Sequence, residues 1–292
     1  MSRFRAIAAA CAVAIVLVLV LVLPGGGGND TTLVSGSALA NAANATERVQ
    51  GASFSIDGTV DAEGLSQPLR IRMRGVQNTR QKAAEFVGTY IDFPKQVPGR
   101  DSNGNVPIEG VMVLPHMYMK SPLFSAALPS GKSWIDIDLA KTGRRLGIGD
   151  PTQFGSADPN QSVRALRALS SRVERVGEEQ VRGVATTHYR ATVELRRLPS
   201  VTPPARRAAA RQSVSRLIQL IGTDSYPMEV WVDRRHLVRR MRIEMTMKVQ
   251  GKSVNQDMTI ELFDFGPKHR IKPPPADQTF DASKLAGAGA GP

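Results

Sequence analysis

Cysteine is nearly absent from this sequence of 292 residues. The single cysteine, Cys11, lies within an apolar run near the N-terminus. No intramolecular disulfide can form, so the fold must depend on the burial of apolar side chains. Aromatic residues are also scarce, at 5%, whereas 41% hydrophobic residues is normal for a folded protein.

Sequence signatures of catalysis are missing as well. There is no GxSxG nucleophile elbow and no HExxH zinc motif. A GKS triplet at 131–133 lacks the earlier glycine of a phosphate-binding loop, because Ala126 stands there. The four histidines, at 116, 188, 236 and 269, are far apart and predict surface or strand-edge positions. We therefore expect no metal, no cofactor and no enzymatic activity.

Two carboxylates, Asp136 and Asp138, lie on one side of the segment SWIDIDL. Paired carboxylates can act as acid and base. Alternation with isoleucines already accounts for them as the hydrated face of a strand, and that is the interpretation we favour.

An uncharged apolar run at 6–23 has nearly the length of a membrane-spanning helix. Arg3 and Arg5 precede it and no basic residue follows until Arg48, so the positive-inside rule predicts export of the rest of the chain. An uncleaved single-pass anchor is favoured, because the A-x-A pattern expected at a cleavage site occurs only far downstream, at 38–40. Secretion after signal cleavage remains the alternative.

The chain is strongly basic, with a formal net charge of +12. Nucleic acid, an anionic membrane surface and acidic ligands are possible partners of such a chain, but an exported protein does not meet nucleic acid. Arg70, Arg72 and Arg74 alternate with apolar residues and form a ladder. This ladder is either a hydrated face balanced by acidic neighbours or a surface that neutralises phosphates.

Strict alternation of apolar and polar residues is the main structural signal. It is clearest from Met241 to Val249, recurs at 69–73 and 258–262, and is typical of strands with one buried face. About ten strands joined mostly as hairpins are indicated, with helices near Ser37, at 162–173 and at 204–221. The predicted fold is α+β: a strongly curved antiparallel sheet with helices covering its concave face.

Several segments resemble the LppX/LprG family of actinobacterial envelope proteins, which is related in fold to the LolA/LolB lipoprotein carriers. They are ALANAANATERVQGASFSIDG at 38–58, GKSWIDIDL at 131–139, a G-x5-G-V-x-T-x-H-Y pattern at 177–189, VWVDRRHLVRRM at 230–241 and TIELFDFG at 259–266. The resemblance implies a half-barrel with a hydrophobic cavity for acyl chains. The sequence lacks the family's lipobox cysteine, so the apolar run would replace an acyl anchor.

The expected organisation has four parts: an anchor or signal segment at 1–23, a flexible linker at 24–36, a half-barrel domain at 37–275 and a loose C-terminal tail at 276–292. The candidate cavity-lining residues are Leu69, Ile71, Met73, Met117, Met119, Leu217, Ile221, Met241, Ile243, Met245, Met247, Met258, Ile260 and Leu262. Methionine is flexible and suits irregular apolar partners. The competing interpretation is that these side chains fill an ordinary core.

The leading hypothesis is therefore a membrane-tethered, extracytoplasmic protein that binds acylated envelope lipids or lipoprotein acyl chains and carries or senses them. The alternative is a sensory or regulatory protein on the same fold, like the RseB-type sigma-factor regulators, which binds an envelope protein partner.

Overall fold

The structure, a computed structural model, describes residues 36–63, 67–91, 99–125, 128–145, 170–201, 204, 207–249 and 252–283. The transmembrane helix predicted at 6–23 lies outside these ranges, as does the predicted linker except for its last residue. Within the described ranges, no helix combines the length and the apolarity needed to cross a membrane.

Twelve strands in the described ranges form one sheet. In chain order they are β1 (Gly51–Ala62), β2 (Leu69–Asn78), β3 (Ala83–Ile91), β4 (Val106–Val113), β5 (His116–Lys120), β6 (Trp134–Asp138), β7 (Ser170–Val181), β8 (Val184–Glu194), β9 (Ser225–Asp233), β10 (Val238–Val249), β11 (Lys252–Phe263) and β12 (Thr279–Asp281).

The strand order is β12-β6-β5-β4-β3-β2-β1-β11-β10-β9-β8-β7. Two antiparallel meanders, β1–β6 and β7–β11, are joined where β1 pairs with β11. All neighbours are antiparallel except β12 and β6, which pair in parallel. The sheet is curved and unclosed, with edges at β7 and β12, so the predicted half-barrel architecture is confirmed.

The pleat separates the side chains into two faces. In β1 and β2, for example, Phe54, Ile56, Leu69, Ile71 and Met73 are buried on one face. The side chains between them, such as those of Asp57 and Arg72, point to the other face. Because alternate residues point to opposite faces, the registered pairing extends this division across the sheet.

The described ranges contain few helices. They are α1 (Gly36–Arg48), α2 (Pro122–Ser125), α3 (Leu139–Arg145), α4 (Leu198–Val201) and α5 (Arg207–Ile221), with single 3-10 turns at Leu195–Arg197 and Ala276–Gln278. Leu39 and Ala42 of α1 and Val214 and Ile221 of α5 belong to the same hydrophobic core as the buried face of the sheet. Thr46 connects α1 to β10, because its hydroxyl accepts a hydrogen bond of 2.9 Å from the backbone N–H of Val238.

Glycines on the buried face make room for large neighbours. Phe54, Gly75, Phe86 and Gly110 lie opposite one another on successive strands. A Cβ on Gly110 would overlap the ring of Phe86, which lies across it. Such a close approach needs a residue without a side chain, and glycine inside a strand commonly marks a site of this kind.

Two expectations need correction. The helix predicted at 162–173 is wrong from Ser170 onward, because β7 begins there, and its earlier part lies outside the described ranges. Residues 276–283, predicted to belong to a loose tail, are ordered: β12 pairs with β6, and the backbone N–H of Ala282 donates to the carbonyl of Asp136 at 2.8 Å. Hydrogen bonding to the free edge of β6 supplies the order that the local sequence does not predict.

Substituting Gly110→Ala should lower the free energy of unfolding by about 1–3 kcal/mol, because the new methyl group forces the Phe86 ring out of place. The measurement is urea denaturation of the full chain, followed by tryptophan fluorescence. Gly177→Ala in β7 is the matched control, because its Cβ would meet no atom within 4 Å. Equal effects of the two substitutions would contradict the close packing at Gly110.

Candidate functional site

The buried face of the sheet collects the methionines of the chain. Nine of the ten methionines lie in the described ranges, and all nine belong to this face: Met73, Met112, Met117, Met119, Met228, Met241, Met245, Met247 and Met258. We call it the methionine face. Neighbouring strands bring these side chains together, since Ile243 lies opposite both Met258 and Met228. Met112 likewise lies opposite Met117.

All the candidate strand residues from the sequence lie on this face, and the two helical candidates pack against it from α5. Met112 and Met228 were missed, although the alternation of VPIEGVMV and of PMEVWV around them could have identified both. Whether the candidates contact a ligand stays a prediction.

Protein atoms cover most of the methionine face. Every candidate except Leu217 and Met241 is at most 7% exposed. Part of the cover is α5, through Val214 and Ile221. Leu217 and Ile218 on the same helix, and Met241 and Tyr189 on the sheet, stay only partly buried. The chain's own atoms therefore cover the apolar face incompletely beside these residues.

Two glutamines interrupt the methionine face. Gln256 lies between Met245 and Val60, and Gln77 between Ala52 and Ala84. Both are buried, and Oε1 of Gln256 and Nε2 of Gln77 have no hydrogen-bond partner. A buried polar atom without a partner costs about 1–3 kcal/mol. These two atoms are therefore exceptions to the rule that buried polar groups are hydrogen-bonded.

The opposite face of the sheet, which we call the outer face, carries ion pairs between strands. Arg72 donates to Asp57 at 2.8 Å, Arg242 to Asp257 at 2.7 Å and Arg240 to Glu261 at 2.7 Å. This confirms the prediction of acidic neighbours for Arg72.

A groove of about 620 Å³ crosses the outer face over β11, β1, β2 and β3. Its lining includes Arg72 and Arg74 of β2, Val87 of β3 and Glu261 of β11. Arg182, from the turn between β7 and β8, borders it. Arg182 was not singled out by the sequence, because only the folding of the hairpin brings its turn to β1 and β11.

Glu261 pairs with two arginines in this region. Partial burial alone would raise the pKa of its carboxyl group, but hydrogen bonds from Arg240 and Arg182 hold that pKa below its ordinary value. Each carboxylate oxygen is occupied, Oε1 by Arg240 and Oε2 by Arg182. Hydrogen bonds to charged groups contribute about 1.5–3 kcal/mol each when they are well formed.

His236 and His269 are exposed, as expected, whereas His188 differs from the surface position predicted for it. His188 is buried, and its ring stacks on Trp231 with 4.1 Å between centroids. Its Nδ1 lies 3.1 Å from Glu179 and its Nε2 3.6 Å from Glu229, but neither contact has hydrogen-bond geometry. The stacking on Trp231 across β8 and β9 removes this ring from water, which strand alternation alone does not reveal.

Other titratable groups make structural pairs. His116 lies 2.8 Å from Asp136, and His269 lies 2.7 Å from Glu85. Desolvation opposes ionisation of Asp138, but hydrogen bonds from Lys141 hold its pKa below the ordinary value. Among the residues that the structure describes, no group of three or more histidine, cysteine or acidic side chains could hold a metal ion.

An unclosed antiparallel half-barrel with one apolar face is thus the class of fold that the chain adopts. No family model matches the chain. It is 28% identical over 257 residues to an uncharacterized 31.2 kDa protein of Streptomyces griseus, covering 86% of this chain and 76% of that protein. It is also 29% identical over 160 residues to a proposed lipoprotein, SCO4650, of Streptomyces coelicolor, covering 53% of this chain and 44% of that protein.

Similar solved structures include the lipoprotein LppX of Mycobacterium tuberculosis, with a TM-score of 0.44, 13% identity and coverage of 81% of this chain and 97% of LppX. LprF of Mycobacterium bovis gives a TM-score of 0.40 at 17% identity, covering 82% of this chain and 96% of LprF. The resemblance to the LppX/LprG family predicted from the sequence is confirmed as a likeness.

Glu261→Gln should lower the free energy of unfolding at neutral pH by about 1–3 kcal/mol, because the neutral amide loses the two charged hydrogen bonds. The native pKa of Glu261 is depressed, so this stabilisation is present above its ordinary value of 4.5 and is lost as the pH falls through the native value. The difference between wild type and variant should therefore shrink below about pH 4.5.

Urea denaturation between acidic and neutral pH measures this difference. Glu244→Gln is the control, because Glu244 is an exposed partner of Arg242 and exposed pairs contribute about 0–1 kcal/mol. A gap for Glu261→Gln that stays constant over the whole pH range would contradict the assignment.

Proposed function

We propose that this chain is an extracytoplasmic, membrane-tethered lipid-binding protein and not an enzyme. It would carry or sense acylated envelope lipids at its methionine face. The observation that carries the proposal is the gathering of all nine methionines of the described ranges on one apolar face. An ordinary packed core does not require enrichment in methionine, whereas flexible, polarisable methionines adapt to apolar partners of variable shape.

The dimensions of the face suit an acyl chain. From Met241 to Met247 the strand β10 advances about 20 Å. One leaflet of a bilayer offers an acyl chain about 15 Å of hydrocarbon depth, half of a core about 30 Å thick. Each methylene that leaves water contributes about 0.8 kcal/mol, so a single chain laid along β10 would supply ample binding energy.

Entry would occur beside α5. Leu217 and Ile218 of this helix and Met241 of β10 stay partly exposed, so apolar side chains that contact the core also reach the solvent there. Arg207 and Arg211 are exposed on the same helix. Basic side chains at such a rim would meet the phosphate or carboxylate head group of a lipid whose acyl chain lies inside.

The membrane tether is supported by the sequence. The apolar run at 6–23, preceded by Arg3 and Arg5, would anchor the chain with its C-terminal part outside the cytoplasm. Residues 24–36 would serve as the linker to a binding domain that begins near residue 37 and ends near 275. Secretion after cleavage of the run is the alternative form of the same proposal.

A regulatory role is the second candidate, and one observation favours it. Most of the methionine face is already covered by the chain's own atoms, as a packed core would be. A regulator of this kind would bind one envelope protein through its surface. Affinity capture from a detergent extract of the native host should then recover one partner in a stoichiometric amount, whereas a lipid carrier should recover none.

The lipid-binding proposal predicts that the full chain, purified from its native host, carries lipid in native mass spectrometry. Met241→Glu should remove most of that lipid, because a carboxylate at the partly exposed edge of the face makes entry of an acyl chain costly. Val176→Glu is the matched control, since Val176 is 42% exposed elsewhere, on β7, and should leave the load unchanged.

Methyl NMR of methionine-labelled protein provides a second readout. Added lipid should shift the resonances of methionines on the methionine face and leave that of Met1 in place. The proposal would be overturned if the purified wild type carries no lipid and its methionine resonances do not shift when lipid extracts are added. The methionine face would then be a packed core.

A further inference from the structure

The groove on the outer face is a second site, separate from the methionine face, and its charged side chains suit an anionic ligand. It crosses four strands and is open to solvent, with a volume of about 620 Å³. Three guanidinium groups line it, from Arg72, Arg74 and Arg182, against two carboxylates, from Asp57 and Glu261. The charges of the lining therefore leave one positive charge in excess.

Arg182 is held rigidly at the border of the groove. Its Nε donates to Glu261 at 2.7 Å, and its Nη2 donates to the hydroxyl of Ser55 at 3.1 Å. Its guanidinium also lies over the ring of Phe263, 3.9 Å from the centroid. A side chain with three fixed contacts loses little conformational entropy when a ligand arrives, so it is preorganised.

Arg74 has the opposite character. In register it lies between Ser55 of β1 and Val87 of β3. The carboxylates of the groove are already engaged, Asp57 by Arg72 and both oxygens of Glu261 by Arg182 and Arg240. Among the described residues, Arg74 has no hydrogen-bond or ion-pair partner. Its fork of N–H donors is free to bind an anion through two parallel hydrogen bonds.

An apolar contact adjoins this free cation. Val87, directly opposite Arg74, is 49% exposed, and it and Val176 are the large hydrophobic residues exposed in the described ranges. The backbone of Gly88 lies next to it in the groove lining. The groove thus offers an apolar surface beside a guanidinium.

We propose that this groove binds a phosphate group, with Arg74 as the principal ligand and Arg72 and Arg182 beside it, and that Val87 contacts an apolar part of the molecule that carries the phosphate. A phospholipid head group with its first methylenes offers both the phosphate and the apolar part. Free phosphate offers the phosphate alone. The site is independent of lipid binding at the methionine face and does not need it.

Isothermal titration calorimetry on the full chain in a phosphate-free maltoside detergent tests the site with two probes: inorganic phosphate and dihexanoyl phosphatidylglycerol. Both should bind to wild type. Arg74→Gln should weaken both by about tenfold or more, the loss expected for a charged bidentate contact. Arg74→Lys should recover part of the affinity, since it restores the charge but not the fork.

Arg80→Gln is the matched control. Arg80 is exposed in the turn after β2, outside the groove, so its removal changes the net charge equally. It should leave both affinities unchanged. Val87→Ser should weaken the lipid probe and spare inorganic phosphate, which identifies the head group rather than the free ion as the better occupant. Equal affinities for the two probes would assign the site to free phosphate.

Absence of phosphate binding to wild type would overturn the proposal, as would equal losses for Arg74→Gln and Arg80→Gln, because the effect would then be one of net charge. Binding of the lipid probe that ignores Arg74→Gln but is abolished by Met241→Glu would place the lipid on the methionine face and also overturn it. The two proposals can therefore fail separately.

Discussion

The pairing of β1 with β11 is the constraint on which the rest of the structure depends. It runs in unbroken antiparallel register from Ser53 opposite Phe263 to Ala62 opposite Val254. It joins two meanders that would otherwise be separate sheets. A slip of one residue would turn the methionines of β11 and the adjoining strands toward water, so the hydrophobic effect fixes this register strongly.

Both candidate sites follow from that pairing. On one side it places Ile56 beside Ile260 and continues the apolar surface from one meander to the other. On the other side it places Ser55 beside Glu261, so that Arg182 from a distant hairpin can reach both. The pairing of β1 with β11 thus places an adaptable apolar surface and a charged groove on opposite faces of the same sheet.

Much of this architecture could be predicted from local pattern. Alternation located the strands around Met73, Met245 and Ile260 and assigned each of these residues to the apolar face. In a half-buried strand, a period of two places every apolar side chain on the same face. Where the pattern was ambiguous, the prediction was wrong: the residues from Ser170 suggest a helix by spacing but form β7, held by pairing with β8. Likewise, the segment Thr279–Asp281 has no strong strand signal and becomes ordered by adding to the edge of β6.

The sequence by itself determined the alternation, the methionine bias, the apolar run at 6–23 and the excess of arginine, since these are properties of neighbours along the chain. The tertiary structure decided which charges find partners. Arg72 and Arg74 are equivalent in sequence, yet Arg72 faces Asp57 while the carboxylates near Arg74 are taken by Arg182 and Arg240. It likewise decided that the chain's own atoms, those of α5 among them, bury most, but not all, of the methionine face. Contacts between residues far apart in the chain depend on strand order and curvature, which no local pattern encodes.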